Sequence, residues 1–225
     1  MPIYRLKSFN FPGFGHQLIT PRPAPVVPSA LEEIQDSPPK NPLYMKQVHG
    51  GTVHLISERD RNPFPSGSFG DGIITDISRT PLMVFTADCI PLIIAGAKPR
   101  FIGVIHASWR SVVVGIIENT LRLLKEEYSS APANIQCVMG PCILGEDYEV
   151  GPEVAWRFPN SIREKSGGKY LLDLPAEVVL RLTHLGVPQK NIAPPPLSTF
   201  REKWLPSYRR EGDTTERIET VVWLE

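Results

Sequence analysis

Three apolar segments follow one another in the middle of the chain, and they constrain its fold more than any other feature. They read PLMVFTA from Pro81, PLIIAGA from Pro91 and FIGVIHA from Phe101. Each segment is short for a helix, and turn-forming residues lie between them. Continuous apolar runs of this length are typical of strands buried on both faces. We therefore expect buried β-strands at these three positions.

Helices are expected to be few and short. Proline accounts for 24 of the 225 residues, about twice the usual ~5%, and proline interrupts helices. Ser108 or Ser111 can cap the helix predicted after FIGVIHA, and Pro175 stands at the start of another. Apolar spacing and helix end signals predict helices over residues 30–35, 111–128, 153–158 and 175–185.

Strands and helices do not alternate regularly, so the expected fold class is α+β rather than a doubly wound sheet. Further strands are predicted in GIITDI, IQCVMGP and ERIETVVWLE, and YMKQVHGGTVHLIS is predicted to form a strand, a turn and a second strand. Residues 60–72 are predicted to be a loop. We expect one domain over residues 1–225, with mixed β-sheets, flanking helices and a proline-rich connection at residues 21–42.

Charge and cysteine content narrow the function classes. The 24 basic and 24 acidic residues cancel, so the net charge gives no reason to expect nucleic acid or an acidic membrane as a partner. Three cysteines do not suggest a disulfide framework. The N-terminus lacks a signal-peptide pattern, and no apolar run approaches the ~20 residues of a membrane span. The cytoplasm is therefore the expected location, and the oligomeric state is left open.

Two histidines and one cysteine stand at the ends of predicted strands. His49, Cys89 and His106 are separated by 40 and 17 residues, which is not the short spacing of a zinc finger. Three ligands from three separate strand ends suit a catalytic zinc site, which keeps a fourth position open. Spacing alone leaves the alternative that each is structural, a hydrogen-bonded histidine or an inert buried thiol.

Five segments closely resemble the YfiH-type family, which carries the label laccase domain or multicopper polyphenol oxidoreductase. They are MKQVHGGTVHLI, FGDGIITDISRTPLMVFTADCIPLIIAG, FIGVIHASWRSVVVGIIENTLRLL, MGPCILGEDYEVGPEV and LPSYRREGDTTERIETVVWL. The resemblance covers roughly residues 43 to 225, and the ordered blocks QVHG, TADC and HAxWR are highly specific to that family. It implies that His49, Cys89 and His106 are metal ligands. It also implies purine nucleoside phosphorolysis with adenosine deamination.

The chain departs from the family pattern in three places. HAGWRG of the family is HASWRS here, so Ser108 and Ser111 replace glycines that suit close backbone approach or an unusual φ. Near the N-terminus, LITPRPAP keeps Arg22 of a TRxGG loop but lacks its glycines. The family's Asp-x-Cys-Thr appears as PPLST. We therefore expect a shortened, divergent member with an altered substrate pocket.

Candidate substrate residues surround these blocks. Arg110 follows His106 at a predicted helix start, where a guanidinium and free N–H groups favour phosphate. Further phosphate candidates are Arg22, Arg209 and Arg210.

Two carboxylates and two aromatic residues complete the candidate site. Asp71 and Asp88 are candidate substrate-binding or acid groups, or groups that orient a ligating histidine. Trp109 and Tyr148 offer stacking faces for a purine, although core packing explains them as well. Cys137 and Cys142 are interpreted as structural, since their spacing is no redox motif.

The leading hypothesis is a metal-dependent purine nucleoside phosphorylase. Its expected partners are phosphate and a nucleoside, adenosine or inosine, with methylthioadenosine as a further candidate. Zinc is the expected cofactor and copper the alternative. Three other hypotheses stay open: a Cys–His amide hydrolase, related in fold to bacterial toxin and chemotaxis deamidases; a polyphenol oxidase; and a non-catalytic relic.

Overall fold

The computed structural model describes residues 1–35, 37–57 and 66–225, in which more residues lie in strands than in helices. The strands are β1 Ile3–Leu6, β2 Phe14–Ile19, β3 Leu31–Glu33, β4 Leu43–Tyr44, β5 Val53–Ile56, β6 Gly72–Thr75, β7 Leu82–Thr86, β8 Ile90–Ala97, β9 Arg100–Ala107, β10 Ile135–Met139, β11 Glu149–Val150, β12 Ile162–Lys165, β13 Lys169–Leu172, β14 Ile192–Ala193 and β15 Ile218–Leu224. The α-helices are α1 Trp109–Val113, α2 Ile116–Tyr128, α3 Pro152–Ala155, α4 Leu174–His184 and α5 Tyr208–Glu211.

Two large sheets and one small sheet contain these strands. The first has the order β3-β1-β2-β15-β7-β4, the second β14-β10-β8-β9-β6-β5 and the small one β11-β13-β12. Most neighbours are antiparallel, but the pairs β4–β7, β5–β6 and β10–β14 are parallel. The expected α+β class with mixed sheets and flanking helices is confirmed at this level. A relation to Cys–His deamidases stays a prediction.

The second sheet lies between the first sheet and the helices, which explains the continuous apolar runs. Along β8, Leu92 and Ile94 belong to the core shared with α2 and α4. Ile93, which points to the opposite face, belongs to the core shared with the first sheet. Both faces of β8 and β9 are thus buried, as the sequence predicted.

The helix predicted at residues 30–35 is wrong. Leu31–Glu33 is strand β3, which pairs with β1 through Leu6 and Leu31 and through Tyr4 and Glu33. Leu31 is buried in the core between the large sheets. Pairing with a neighbouring strand satisfies the backbone of a segment too short and too close to prolines for a stable helix. The connection at 21–42 therefore contains an edge strand.

The single helix predicted at 111–128 is two helices. Ser108 caps α1, since its side chain accepts a hydrogen bond from the backbone N–H of Ser111. Gly115 then adopts φ 85, which ends α1 and starts α2 at Ile116. A glycine reaches this left-handed conformation without the steric cost that other residues bear.

Four other predictions also differ from the structure in their boundaries or strand pairing. The helix predicted at 153–158 ends at Ala155, and α4 begins one residue earlier than predicted, at Leu174. The segment around His49 does not form a hairpin, because β4 belongs to the first sheet and β5 to the second. Of the predicted loop at 60–72, residues 60–65 lie outside the described part and β6 begins at Gly72.

No helix in the described residues is both long and apolar enough to cross a membrane.

We predict that Gly15→Ala destabilises the first sheet. Gly15 pairs with Trp223 across β2 and β15, and an added Cβ would lie 1.9 Å from the indole ring. Overpacking of this kind typically costs about 1–3 kcal/mol. Urea unfolding of Gly15→Ala measures this loss. In a Trp223→Leu background the same substitution should cost much less, and an equal cost in both backgrounds would contradict the steric explanation.

Candidate metal centre

A single buried carboxylate organises the turn that carries His49. Asp71, directly before β6, is fully buried. Its carboxylate oxygens accept hydrogen bonds from the backbone N–H groups of Val48 at 3.2 Å, His49 at 2.9 Å and Gly50 at 2.7 Å. The chain is thereby wrapped around Asp71, and His49 takes the left-handed conformation with φ 58. Three hydrogen bonds to one charged group offset the strain that a non-glycine residue has there.

The same carboxylate orients His106. Asp71 Oδ1 accepts from His106 Nδ1 at 2.8 Å, and the backbone N–H of His106 donates to the Asp71 carbonyl at 2.6 Å. Pairing of β9 with β6 brings the two residues together. Because Nδ1 faces Asp71, Nε2 is the ring nitrogen left for the opposite side. His106 is therefore fixed both in position and in orientation.

Cys89 meets both histidines from the turn between β7 and β8. One ligand atom from each of His49, Cys89 and His106 lies within 4.8 Å of the other two. The two imidazole rings are also close, with centroids 4.8 Å apart and planes inclined by 75°. The three residues are thus neighbours in space, although 40 and 17 positions separate them in the sequence.

Cys89 and His106 strongly change each other's acidity. Burial alone raises the pKa of Cys89, but the charge of His106 and hydrogen bonds from His106 and His49 outweigh it and lower the pKa to about 6. Burial alone lowers the pKa of His106, but Cys89 and Asp71 outweigh it and raise the pKa to about 9. Without a metal, the pair therefore exists as thiolate and imidazolium at neutral pH.

The donor set fits a transition-metal ion. One thiolate and two imidazoles suit zinc or copper, and the lowered pKa of Cys89 favours the ligating thiolate. Asp71 stands behind His106, where an outer carboxylate commonly orients a ligating imidazole. Three protein ligands leave a coordination position for another group.

A cavity of about 620 Å³ opens beside the cluster. The size is ordinary for a small-molecule site. Its lining includes the cluster, apolar side chains, aromatic rings and arginines, namely Met45, Gln47, His49, Phe85, Ala87, Asp88, Cys89, His106, Ser108, Trp109, Arg110, Ile143, Tyr148, Leu174, Tyr208, Arg209 and Arg217.

Three arginines face this cavity. Arg110 lies 4.5 Å from the ring centre of Trp109, and Arg209 lies 5.4 Å from that of Tyr148. Residue positions 110 and 209 were candidates from the sequence, whereas Arg217 was not. Within the described part of the chain, none of the three forms an ion pair with a carboxylate. The cavity wall therefore carries positive charge.

The other two candidate arginines do not line the cavity. Arg22 pairs with Glu211 at 3.2 Å and with Glu216. Arg210 donates to the carbonyls of residues 199, 200 and 205 and pairs with Glu211 at 2.7 Å. Both guanidinium groups hold the C-terminal segment together, so a phosphate role for either of them remains only a prediction.

The carboxylates take different places. Asp71 lies behind the cluster, away from the cavity lining. Asp88 lines the cavity, but Oδ1 accepts from Thr199 Oγ1 at 2.6 Å and Oδ2 from the backbone N–H of Arg209 at 2.6 Å. Both Asp88 oxygens are thus engaged by the protein.

The two serines that replace family glycines fit without unusual backbone geometry. Ser108 has φ −85, and its hydroxyl lies 2.7 Å from that of Ser111. Both serines are buried, and Ser108 is part of the cavity lining. The substitution therefore changes the surface of the cavity more than the path of the chain.

Several lining residues were not candidates from the sequence, among them the polar residues Gln47 and Arg217. Gln47 exchanges two hydrogen bonds of 2.8 Å with the backbone of Phe85, extending the edge of β7 beside Cys89. Arg217 donates to the carbonyls of Thr214 and Glu216, both at 2.7 Å. Gln47 stands in the QVHG block, so that motif offered a signal. Arg217 stands in no charge pattern that separates it from its neighbours.

The remaining cysteines are not part of the cluster. Cys137 and Cys142 are fully buried, and burial raises the pKa of both thiols, that of Cys137 to about 12.

The mixed β-sheets and the His–Cys–His cluster are accompanied by a sequence match to a known protein family. A family model described as multi-copper polyphenol oxidoreductase laccase matches residues 28–225. The chain belongs to this family.

Similar proteins carry a different functional name. A purine nucleoside phosphorylase of Aquifex aeolicus is 35% identical over 186 residues, covering 82% of this chain and 84% of the relative. A purine nucleoside phosphorylase of Corynebacterium glutamicum is 32% identical over 198 residues, covering 86% and 78%. The crystal structure of YlmD from Geobacillus stearothermophilus superposes with a TM-score of 0.82 at 26% identity, covering 96% and 93%.

We predict that Cys89 of chelator-treated protein reacts with iodoacetamide with a midpoint near pH 6. Its pKa is about 6, so the reactive thiolate persists at neutral pH and is lost as the pH falls through that value. The rate is measured by mass spectrometry between pH 4.5 and 9. Cys137 and Cys142 are internal controls that should stay unmodified in the folded protein. A midpoint near ~8.5, the ordinary thiol value, would contradict the ion pair.

Proposed function

We propose that this chain is a metal-dependent purine nucleoside phosphorylase. One observation carries the proposal: a single cavity of about 620 Å³ is lined both by the His–Cys–His cluster and by three arginines. Among the described residues, these arginines form no ion pair with a carboxylate. The names of its relatives in Aquifex aeolicus and Corynebacterium glutamicum support the same activity. Adenosine and inosine are the proposed nucleosides, methylthioadenosine is a further candidate, and adenosine deamination is a proposed second activity.

The arginines supply the phosphate site. Arg110 and Arg209 are exposed at the cavity, and Arg217 is held by backbone carbonyls that orient its guanidinium. Guanidinium groups bind phosphate oxygens through paired N–H donors. An anion bound by these groups would share the cavity with the cluster.

The aromatic lining supplies the nucleoside site. Trp109 and Tyr148 each have an arginine beside one ring face, and Phe85 and Tyr208 also line the cavity. A purine can pack against such rings, since stacking does not depend on a particular base. Leu174 and Ile143 add apolar surface. The cavity therefore offers both an apolar and an anionic subsite.

The reaction requires that a bond at C1′ be exchanged. A phosphate oxygen forms a bond to C1′ of ribose, the C1′–N9 bond breaks, and its electron pair leaves with the purine, which takes up a proton. Arg110, Arg209 and Arg217 hold the attacking phosphate, and the orientation they impose lowers the barrier. Burial raises the pKa of Tyr148, so its phenol stays protonated and can donate a hydrogen bond to the departing purine.

The metal is proposed to be zinc, with copper as the alternative, held by His49, Cys89 and His106. When bound, it supplies Lewis-acid stabilisation of an oxygen atom. Asp71 keeps His106 in the orientation that ligation needs.

We predict that Asp71→Asn weakens metal binding by about 10–100-fold, as loss of a carboxylate behind a ligating histidine does. Asp71 accepts from three backbone N–H groups and one imidazole, and an amide nitrogen would face some of these donors. Metal content by mass spectrometry and competition with a chelator measure the effect. Asp76→Asn is the matched control, because Asp76 accepts from the hydroxyl of Ser57, a bond an amide can keep. Equal metal affinity in Asp71→Asn and Asp76→Asn would contradict the role of Asp71.

We predict phosphate-dependent release of free base from adenosine or inosine. Purified protein with about one zinc per chain, the stoichiometry of an open three-ligand site, is incubated with nucleoside, with and without phosphate. Product analysis by chromatography separates base and ribose 1-phosphate from inosine formed by deamination. His49→Ala and Cys89→Ala should lose both metal and turnover. Absence of turnover by metal-loaded protein overturns the proposal and favours a non-catalytic relic.

A Cys–His amide hydrolase is the second candidate, and the charge pairing in the cluster favours it. Cys89 with a pKa of about 6, His106 and Asp71 have the arrangement of nucleophile, base and orienting carboxylate. This reading leaves His49 without a role of its own. Protein that contains no metal, alkylates rapidly at Cys89 and hydrolyses amides would support it over phosphorolysis.

A four-electron laccase is not supported by the ligand inventory. The chain has five histidines, and the described residues contain one cluster of three potential ligands, two histidines and one cysteine. Laccase chemistry uses several copper centres, each with its own ligands. The family description therefore does not define the reaction of this site.

A further inference from the structure

Asp88 is held in an unusual backbone conformation at the edge of the cluster. It lies in the turn between β7 and β8, directly before Cys89, and has φ 90. A non-glycine residue in that region is strained by about 1–3 kcal/mol. Its side chain is 9% exposed. Strain of this kind persists only when the surroundings compensate for it.

The compensating contacts connect three distant segments. Asp88 Oδ1 accepts from Thr199 Oγ1 and Oδ2 from the backbone N–H of Arg209, both at 2.6 Å. The Asp88 carbonyl accepts from the backbone N–H of Ile143 at 2.9 Å. The turn that carries Cys89 is therefore joined directly to the C-terminal part of the chain.

These contacts anchor helix α5. The helix has four residues, Tyr208–Glu211, and a helix this short is not stable by itself. The side chain of Ser207 caps the start of the helix, and the guanidinium of Arg210 donates hydrogen bonds to the carbonyls of Thr199 and Phe200. Asp88 is the group that fastens this unit to the cysteine turn. Tyr208 and Arg209, which line the cavity, belong to the anchored helix.

We propose that Asp88 is a positioning residue that sets Arg209 against the His–Cys–His cluster and so joins the phosphate-binding wall to the cysteine turn. The proposal rests on the phosphate site of the proposed function. Both carboxylate oxygens of Asp88 already accept hydrogen bonds from the protein, which favours positioning over direct contact with substrate.

The experiment removes the carboxylate without disturbing the turn. Asp88→Gly fits φ 90 without strain, and Asp88→Asn is the conservative variant, since its amide can donate to Thr199 Oγ1 and accept from Arg209. Ser198→Ala is the matched control, because Ser198 donates a similar bond of 2.8 Å to Asp147 from the same segment. Metal content, the KM for phosphate and the KM for nucleoside are measured for each.

Asp88→Gly should raise the KM for phosphate about tenfold, the size expected for one lost charge-assisted hydrogen bond. The KM for nucleoside, to which α5 contributes only Tyr208, should rise less than the KM for phosphate. The metal content should stay close to wild type, Asp88→Asn should recover most of the loss, and Ser198→Ala should change little. In an Arg209→Met background, Asp88→Gly should add almost nothing. Full additivity of the two substitutions, or loss of metal in Asp88→Gly, would overturn the proposal.

Two further measurements do not depend on turnover. Amide hydrogen exchange at residues 208–212 should accelerate in Asp88→Gly but not in Ser198→Ala, and unchanged exchange would overturn the anchoring role. Calorimetry with inorganic phosphate should show weaker binding to Asp88→Gly. If the wild type binds phosphate but releases no base, the proposed function fails while this inference stands. If the wild type binds no phosphate, the proposed phosphate site fails, and both the proposed function and this inference fail with it.

Discussion

The buried Asp71 carboxylate is the interaction on which the rest of the site depends. A carboxylate removed from water is costly unless its lone pairs are used, and Asp71 uses them on three backbone N–H groups and one imidazole. The hydrogen bonds keep the pKa of Asp71 low despite its burial, which alone would raise it. Asp71 therefore brings His49 and His106 together, because it binds both the turn that carries His49 and the side chain of His106. Any change that frees Asp71 alters the fold and the cluster at once.

The fold was predictable where local pattern and burial agree. The apolar runs of β8 and β9 are continuous because both faces of these strands are buried, one against the first sheet and the other against the helices. Prediction failed where long-range contacts decide. Leu31–Glu33 is a strand because β1 offers it a partner. The break at Gly115 depends on a left-handed conformation that a single glycine inside an apolar period does not reveal.

The same distinction applies to the candidate site. The predicted strand ends, which depend on local sequence, made His49, Cys89 and His106 candidates. The ordered family motifs then implied that the three residues are metal ligands. The predicted helix start after His106 distinguished Arg110, but no sequence signal separates Arg209, which also faces the cavity, from Arg22 and Arg210. Those two arginines pair with Glu211 in the C-terminal segment. The difference lies in partners that are up to 194 residues away in the sequence. The double engagement of Asp88 is likewise invisible until Thr199 and Arg209 are placed beside it.

The two candidate chemistries use the same atoms in mutually exclusive states. Without metal, Cys89 and His106 stabilise each other as thiolate and imidazolium, so His106 carries a proton on the nitrogen that a metal would take. Metal binding therefore has to displace a proton near neutral pH, and it removes both the nucleophile and the base of an amide hydrolase. The three arginines favour the metal-bound state and phosphorolysis, because phosphate carries the negative charge that guanidinium groups pair with, whereas a neutral amide does not. His49, which in the metal-free cluster only helps to lower the pKa of Cys89, becomes the third ligand when a metal is bound.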